Sequence, residues 1–207
     1  MYGLDRLFAG SVESVLQEFA GKTSISKIEK RLNEKYDLSI RDAAEQFHKL
    51  DSVLREIFGA GADALEENIL KRFIEVAKKS PQKLDNDVFQ TITIKEQNTA
   101  QLIAQMYAEP DKNKLLDAFN EEPKIIQDAL EQSKVPQTSG YRKVNSLIDA
   151  GLLIPDGYGS ATDGKRVNKY RALFDNISIN IGKNKMNVQS KIRLKDLKES
   201  ELLQVIS

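Results

Sequence analysis

The sequence predicts a mainly α-helical chain with small β hairpins, an α+β protein whose first part is a four-helix module. Three observations lead there. Apolar residues recur at three-and-four spacing through most of the first 150 positions, the period of helices with one buried face. Alternation of apolar and polar residues, the period of a strand, is confined to 88–94 and to the stretch after Gly151. Forty per cent hydrophobic and 30% charged residues are an ordinary globular composition, so the chain is expected to fold.

Leu4, Leu7, Phe8, Val12, Val15, Leu16 and Phe19 share one face of a first helix, which Gly21 stops. A second begins near Ser24, with Ser26 and Glu29 spaced as a capping box and Ile25, Ile28, Leu32 and Tyr36 as its stripe. Ser39 caps a third, which carries Ala43, Phe47, Leu50, Leu54, Ile57 and Phe58 up to the break at Gly59 and Gly61. The fourth spans 63–79 and buries Leu65, Ile69, Phe73 and Val76. Residues 1–80 therefore read as a helical module for dimerisation or partner binding. The polar, proline-containing stretch 81–95 reads as a linker with some short-strand character.

From Glu96 the helical period returns at Leu102, Ile103 and Met106. Pro110, Pro123 and Pro136 then open three short helices at the position that tolerates proline. Their inward residues are Leu115, Leu116 and Phe119, then Ile125, Ile126, Ala129 and Leu130, then Val144, Leu147 and Ile148, and Gly151 ends the last. A strand at 152–154, a glycine-rich loop to Gly164 and a return strand at 167–173 make a long-tipped hairpin. Residues 177–207 hold a second hairpin, with Ile177, Ile179 and Ile181 alternating with polar residues, a turn at 182–185, then Met186, Val188, Ile192 and Leu194 on alternate positions, and then one short helix.

Three helices followed by a two-stranded wing are the order of a winged helix-turn-helix, placed here at residues 96–176, in which the third helix enters the major groove of DNA. On the helix from Pro136, the inward residues leave Gln137, Thr138, Ser139, Tyr141, Arg142, Lys143 and Ser146 for the groove. Arginine and lysine pair with guanine edges or phosphates, and glutamine reads adenine. The wing offers Lys165, Arg166, Lys169 and Arg171 as phosphate anchors. Charge is distributed to match. Residues 1–80 hold 13 basic and 14 acidic side chains, 81–133 hold 5 and 10, and 134–207 hold 13 and 7. The overall balance of 31 against 31 thus conceals a basic last third.

The stretches 107–116 (YAEPDKNKLL) and 136–153 (PQTSGYRKVNSLIDAGLL) resemble archaeal ArsR-type winged-helix transcriptional regulators, over about residues 97–174. The resemblance implies that Ser139, Tyr141 and Arg142 begin a recognition helix and that Gly151, Leu152 and Leu153 lead into the wing. It implies a sequence-specific transcription regulator of double-stranded DNA, acting as a homodimer in the cytoplasm at the nucleoid. Metal-sensing members bind ions through Cys or His clusters, and with no Cys and one His this chain has neither. A winged helix serving as a protein-interaction or architectural module is the alternative reading.

The same counts exclude disulfides, thiolate metal sites and cysteine nucleophiles. No acid–base pair stands out, so neither an enzyme, a cofactor nor a metal is expected. The G-x-x-x-x-G-K spacing from Gly159 to Lys165 lacks a following Ser or Thr and helix, and 59–64 lacks the strand a dinucleotide fingerprint needs. His48 beside Phe47 reads as a boundary histidine. No secretory signal is legible, and no apolar run nears the ~20 residues of a membrane span, so a soluble cytosolic protein without a membrane partner is expected.

Overall fold

A computed structural model describes residues 3–78, 80–84, 87–161 and 164–205. The helical start is as expected in kind, with two changes of detail. Helix α1 (Gly3–Ala20) is followed directly by α2 (Lys22–Tyr36), so Ser26 lies within α2 and caps nothing. The expected third helix divides into α3 (Ile40–Ala44) and α4 (Phe47–Phe58). Ser39 does cap α3, accepting from the Asp42 amide at 3.1 Å. The chain then kinks at Gln46 (φ −128°). That break lets Ile40 and Ala43 face α1 while Phe47, Leu50 and Leu54 face inward beside α2, two directions that one straight helix could not serve.

Helix α5 (Gly61–Phe73) ends six residues before the expected 79, because the chain turns extended as β1 (Ile74–Val76) and leaves Val76 exposed. The stretch read as a linker is structural. It contains β2 (Gln82–Leu84) and β3 (Asp87–Ile94). One edge of β3 pairs with β1 (Ile74↔Ile94) and β2 (Gln82↔Phe89). The other pairs with β7 (Met186–Arg193), from Phe89↔Arg193 to Ile94↔Val188, and β7 pairs with β6 (Phe174–Ile181). The sheet order is β1-β3-β7-β6 with β2 beside β1, which makes β3 central and β6 an edge. Gln90, Ile92, Ile94, Val188 and Ile192 face the helices, and Thr91, Thr93, Gln189 and Lys191 face away. The outward half of a one-sided strand is polar, which is why composition alone reads it as a linker.

Helix α6 (Gln97–Ala108) is capped by Glu96, whose carboxylate accepts from the amides of Asn98 (3.0 Å) and Thr99 (2.7 Å). Helices α7 (Pro110–Glu121), α8 (Ile126–Ser133) and α9 (Gln137–Asp149) follow, then the hairpin β4 (Leu153–Ser160) and β5 (Arg166–Ala172). The tail forms two short helices, α10 (Leu194–Glu199) and α11 (Glu201–Val205), where one was expected. Asp5 of α1 holds it in place, accepting from Ser200 Oγ (2.6 Å) and from the amides of Glu201 (3.0 Å) and Leu202 (3.3 Å). Apolar residues from every part of the chain, including Phe8, Phe73, Ile92, Phe119, Leu147 and Ile192, form one continuous core. The segments 1–80, 96–176 and 177–207 therefore share one interior, and 81–95 runs through it. No helix among the described residues is long and apolar enough to cross a membrane.

Candidate nucleic-acid interface

Proline sets the start of both α7 and α9, and α8 begins after Ile125. The α8–α9 contact is close because position 140 lacks a side chain. A Cβ on Gly140 would stand 2.2 Å from Leu130 Cδ2, and Leu130 is buried. Helix α9 ends in a Schellman turn, with Leu152 N–H donating to Leu147 O (2.9 Å) and Gly151 at φ +74°, a conformation in which glycine is unstrained. That turn directs the chain into β4. The hairpin is anchored at its base to the α7–α8 turn, where Lys124 and Tyr170 exchange backbone hydrogen bonds of 3.0 and 2.9 Å.

These constraints decide which side chains of α9 reach solvent. Gln137, Thr138, Tyr141 and Arg142 are exposed, and Ser139 is partly so, its hydroxyl turned back to Pro136 O at 3.4 Å. Two expected groove residues are otherwise engaged. Lys143 donates to Asp111 (2.6 Å) and meets Glu109 (3.0 Å) at the start of α7, and Asp111 first and Glu109 second hold its ammonium above the usual lysine range. Ser146 Oγ is buried with no hydrogen-bond partner among the described residues. Position 143 lies three after Gly140 and one before Val144, on the flank nearest α7, so its charge is spent inside the helix packing.

On the hairpin, Lys165 and Arg166 are exposed, and the Arg166 guanidinium lies 3.7 Å from the centroid of the exposed Tyr158 ring. Lys169 is half-buried, with its stem alongside Gly159. Arg171 does not belong to the interface. It is 3% exposed, with Nε 2.5 Å from Asp156 and Nη2 2.5 Å from Asp196 of α10. The alternation that puts Val167 and Lys169 on one face of β5 carries Arg171 onto the tail, where two carboxylates neutralise it. Thr162 and Asp163, at the hairpin tip, lie outside the described residues.

The α9 face and the hairpin meet in a cleft of about 370 Å³ lined by Ile125, Gln127, Tyr141, Arg166, Asn168 and Tyr170. Two further exposed polar side chains lie on or next to α9 in the chain. Asn145 is exposed three residues after Arg142 and four after Tyr141, a spacing that the same-face rule could have found. Lys134, exposed at φ +56° as the C-cap of α8, sits in the turn just before α9, where no periodic pattern reaches. The basic last third is divided between two places. Seven of its 13 cations lie between Lys134 and Arg171, and the other six, from Lys183 to Lys198, belong to the β6–β7 hairpin and the tail.

No family model, curated protein or solved structure matches the chain. The resemblance to ArsR-type regulators therefore rests on the sequence stretches quoted above. His48 is exposed and its Nδ1 lies 2.8 Å from Glu201, an α4-to-α11 tie. The G-x-x-x-x-G-K spacing falls across the hairpin between β4 and β5. Among the described residues no group of three or more His, Asp or Glu is placed to hold a metal ion.

Proposed function

We propose that α7, α8, α9 and the β4–β5 hairpin act as a winged helix-turn-helix that binds double-stranded DNA sequence-specifically and regulates transcription. The observation that supports this best is the shared surface of α9 and the hairpin: Tyr141 and Arg166 line one cleft, and Arg142 stands exposed beside it. On this reading Arg142 and Gln137 read base edges, with Thr138 and Asn145 beside them, and Lys134, Lys165 and Arg166 take phosphates. Stacking on Tyr158 pre-orients the Arg166 guanidinium, lowering the entropy lost when it meets a phosphate. Lys143, Ser146 and Arg171 have no part in it.

Titration of the full chain against duplex DNA at several salt concentrations tests the proposal. Affinity is expected to fall with salt with a slope of about −0.9 per phosphate neutralised. Replacing Lys165 and Arg166 by Ala flattens that slope for all sequences, whereas Arg142→Ala relaxes preference at one base pair and costs about 1–3 kcal/mol. Absence of salt-dependent binding to any duplex, with the protein folded, overturns the proposal.

A further inference from the structure

The cleft between α9 and the β4–β5 hairpin has three properties that reading an intact groove does not require. The first is its lining. Ile125 and Ile126 at the start of α8, Tyr141 of α9 and Tyr170 of β5 make it largely apolar, whereas Gln137, Thr138, Arg142 and Asn145 on the same helix α9 present polar groups. At about 370 Å³ it has room for one planar ring system and not for a stretch of duplex.

The second property is aromatic. Among the described tyrosines only Tyr141, at 44%, and Tyr158, at 61%, are exposed. Tyr141 lines the cleft. Tyr158 pairs across the hairpin with Asn168, another lining residue, so the Tyr158 ring stands on the cleft side of the hairpin. The third property is charge. No acidic side chain lines the cleft, and the cation in its lining, Arg166, is exposed.

We infer that this cleft receives a single unpaired nucleobase, so that the protein prefers duplexes in which one base is already out of the stack. The inference rests on the DNA-binding reading above. With α9 in the major groove and the hairpin on the flanking backbone, the strand that passes between them runs across the mouth of the cleft. A base turned out of that strand enters with its ring against Tyr141, Ile125 and Ile126, its edge towards the Asn168 amide, which both donates and accepts, and its phosphate towards Arg166. Stacking on an aromatic side chain is worth about 5- to 150-fold in affinity, and drawing a paired base out of the duplex costs a comparable factor. The two nearly cancel for a paired base and leave the stacking gain for an unpaired one.

Three duplexes of one sequence, titrated with the full chain at low salt, read the outcome: one fully paired, one with a single-base bulge, and one with the same bulge made abasic. The bulged duplex is expected to bind at least about tenfold more tightly than the paired one. The abasic bulge keeps the bendability of the bulge without its base and is expected to lose that advantage. Tyr141→Ala should bring the ratio of bulged to paired affinity close to one while leaving the helical circular dichroism intact. Equal binding of bulged and paired duplexes, an abasic bulge bound as tightly as the intact one, or a ratio unmoved by Tyr141→Ala overturns the inference and leaves the DNA-binding reading standing. Absence of binding to all three duplexes overturns both.

Discussion

Arg171 is the residue at which surface chemistry and interior chemistry make opposite forecasts. Its guanidinium is 3% exposed and bridges Asp156 on β4 and Asp196 on α10, each at 2.5 Å. Truncation to Ala removes the counter-charge that the buried Asp196 carboxylate has, and one of its oxygens, Oδ2, already lacks a hydrogen-bond partner among the described residues. Breaking a buried pair in this way costs about 3–5 kcal/mol, most of it the penalty of the stranded charge. For a domain of this length each kcal/mol moves the melting temperature by roughly 2–4 °C, so Arg171→Ala should melt about 6–20 °C lower. Arg171→Lys should recover little, because a single ammonium cannot span two carboxylates as a planar guanidinium does. The assay is thermal and urea denaturation followed by circular dichroism, with DNA titration below the transition. A variant that melts like the wild type but loses about one unit of salt slope would place Arg171 on the DNA and refute the burial argument.

Other expectations follow from single contacts. Burial, with the Asp51 carboxylate adding to it, pushes Glu66 up to about 8, so the folded chain holds a proton that the unfolded chain releases near pH 4.5. That contribution to stability is complete below about pH 4.5, declines as pH rises towards 8 and is then lost; Glu66→Gln should flatten a fall of a few kcal/mol in urea stability between those values, and an unchanged pH slope would refute it. Gly140→Ala drives a methyl into Leu130 and should destabilise by about 1–2 kcal/mol, the overpacking outweighing a gain of up to about 1 kcal/mol in helix propensity. In a Leu130→Ala background, where the space exists, the same substitution should stabilise, and a double-mutant cycle lacking that sign reversal would contradict the contact. Lys143→Gln should leave the salt slope of DNA binding unchanged, since the Lys143 charge is already matched by Asp111 and Glu109.

What could be read from the sequence was what depends on local periodicity and punctuation. Gly21, Ser39, Pro110, Pro136 and Gly151 mark true helix limits, because capping and proline geometry act within one turn. The second hairpin was legible because Ile177, Ile179 and Ile181 alternate without interruption. Long-range decisions were not. Nothing near 87–94 announces that β7 lies beside it, so a central strand passed for a linker, and the end of α5 at Phe73 depends on that same sheet. In the candidate interface, Arg142, Lys165 and Arg166 are exposed as read. Lys143 and Arg171 were misplaced because a charge looks alike in sequence whether water or a carboxylate surrounds it.

The central position of β3 bears on how this chain is made as well as on how it stands. Its partner strand β7 follows about a hundred residues later, and everything from α6 to β6 intervenes. During synthesis the helices of the first 73 residues and β1 emerge before β3, whose second edge has no strand to pair with until β7 leaves the ribosome. Closure of so long a loop is slow, so the unpaired edge persists through much of the chain's synthesis. A chain cut short anywhere before β7 would leave that edge of β3 unpaired, the kind of open strand edge on which chains aggregate.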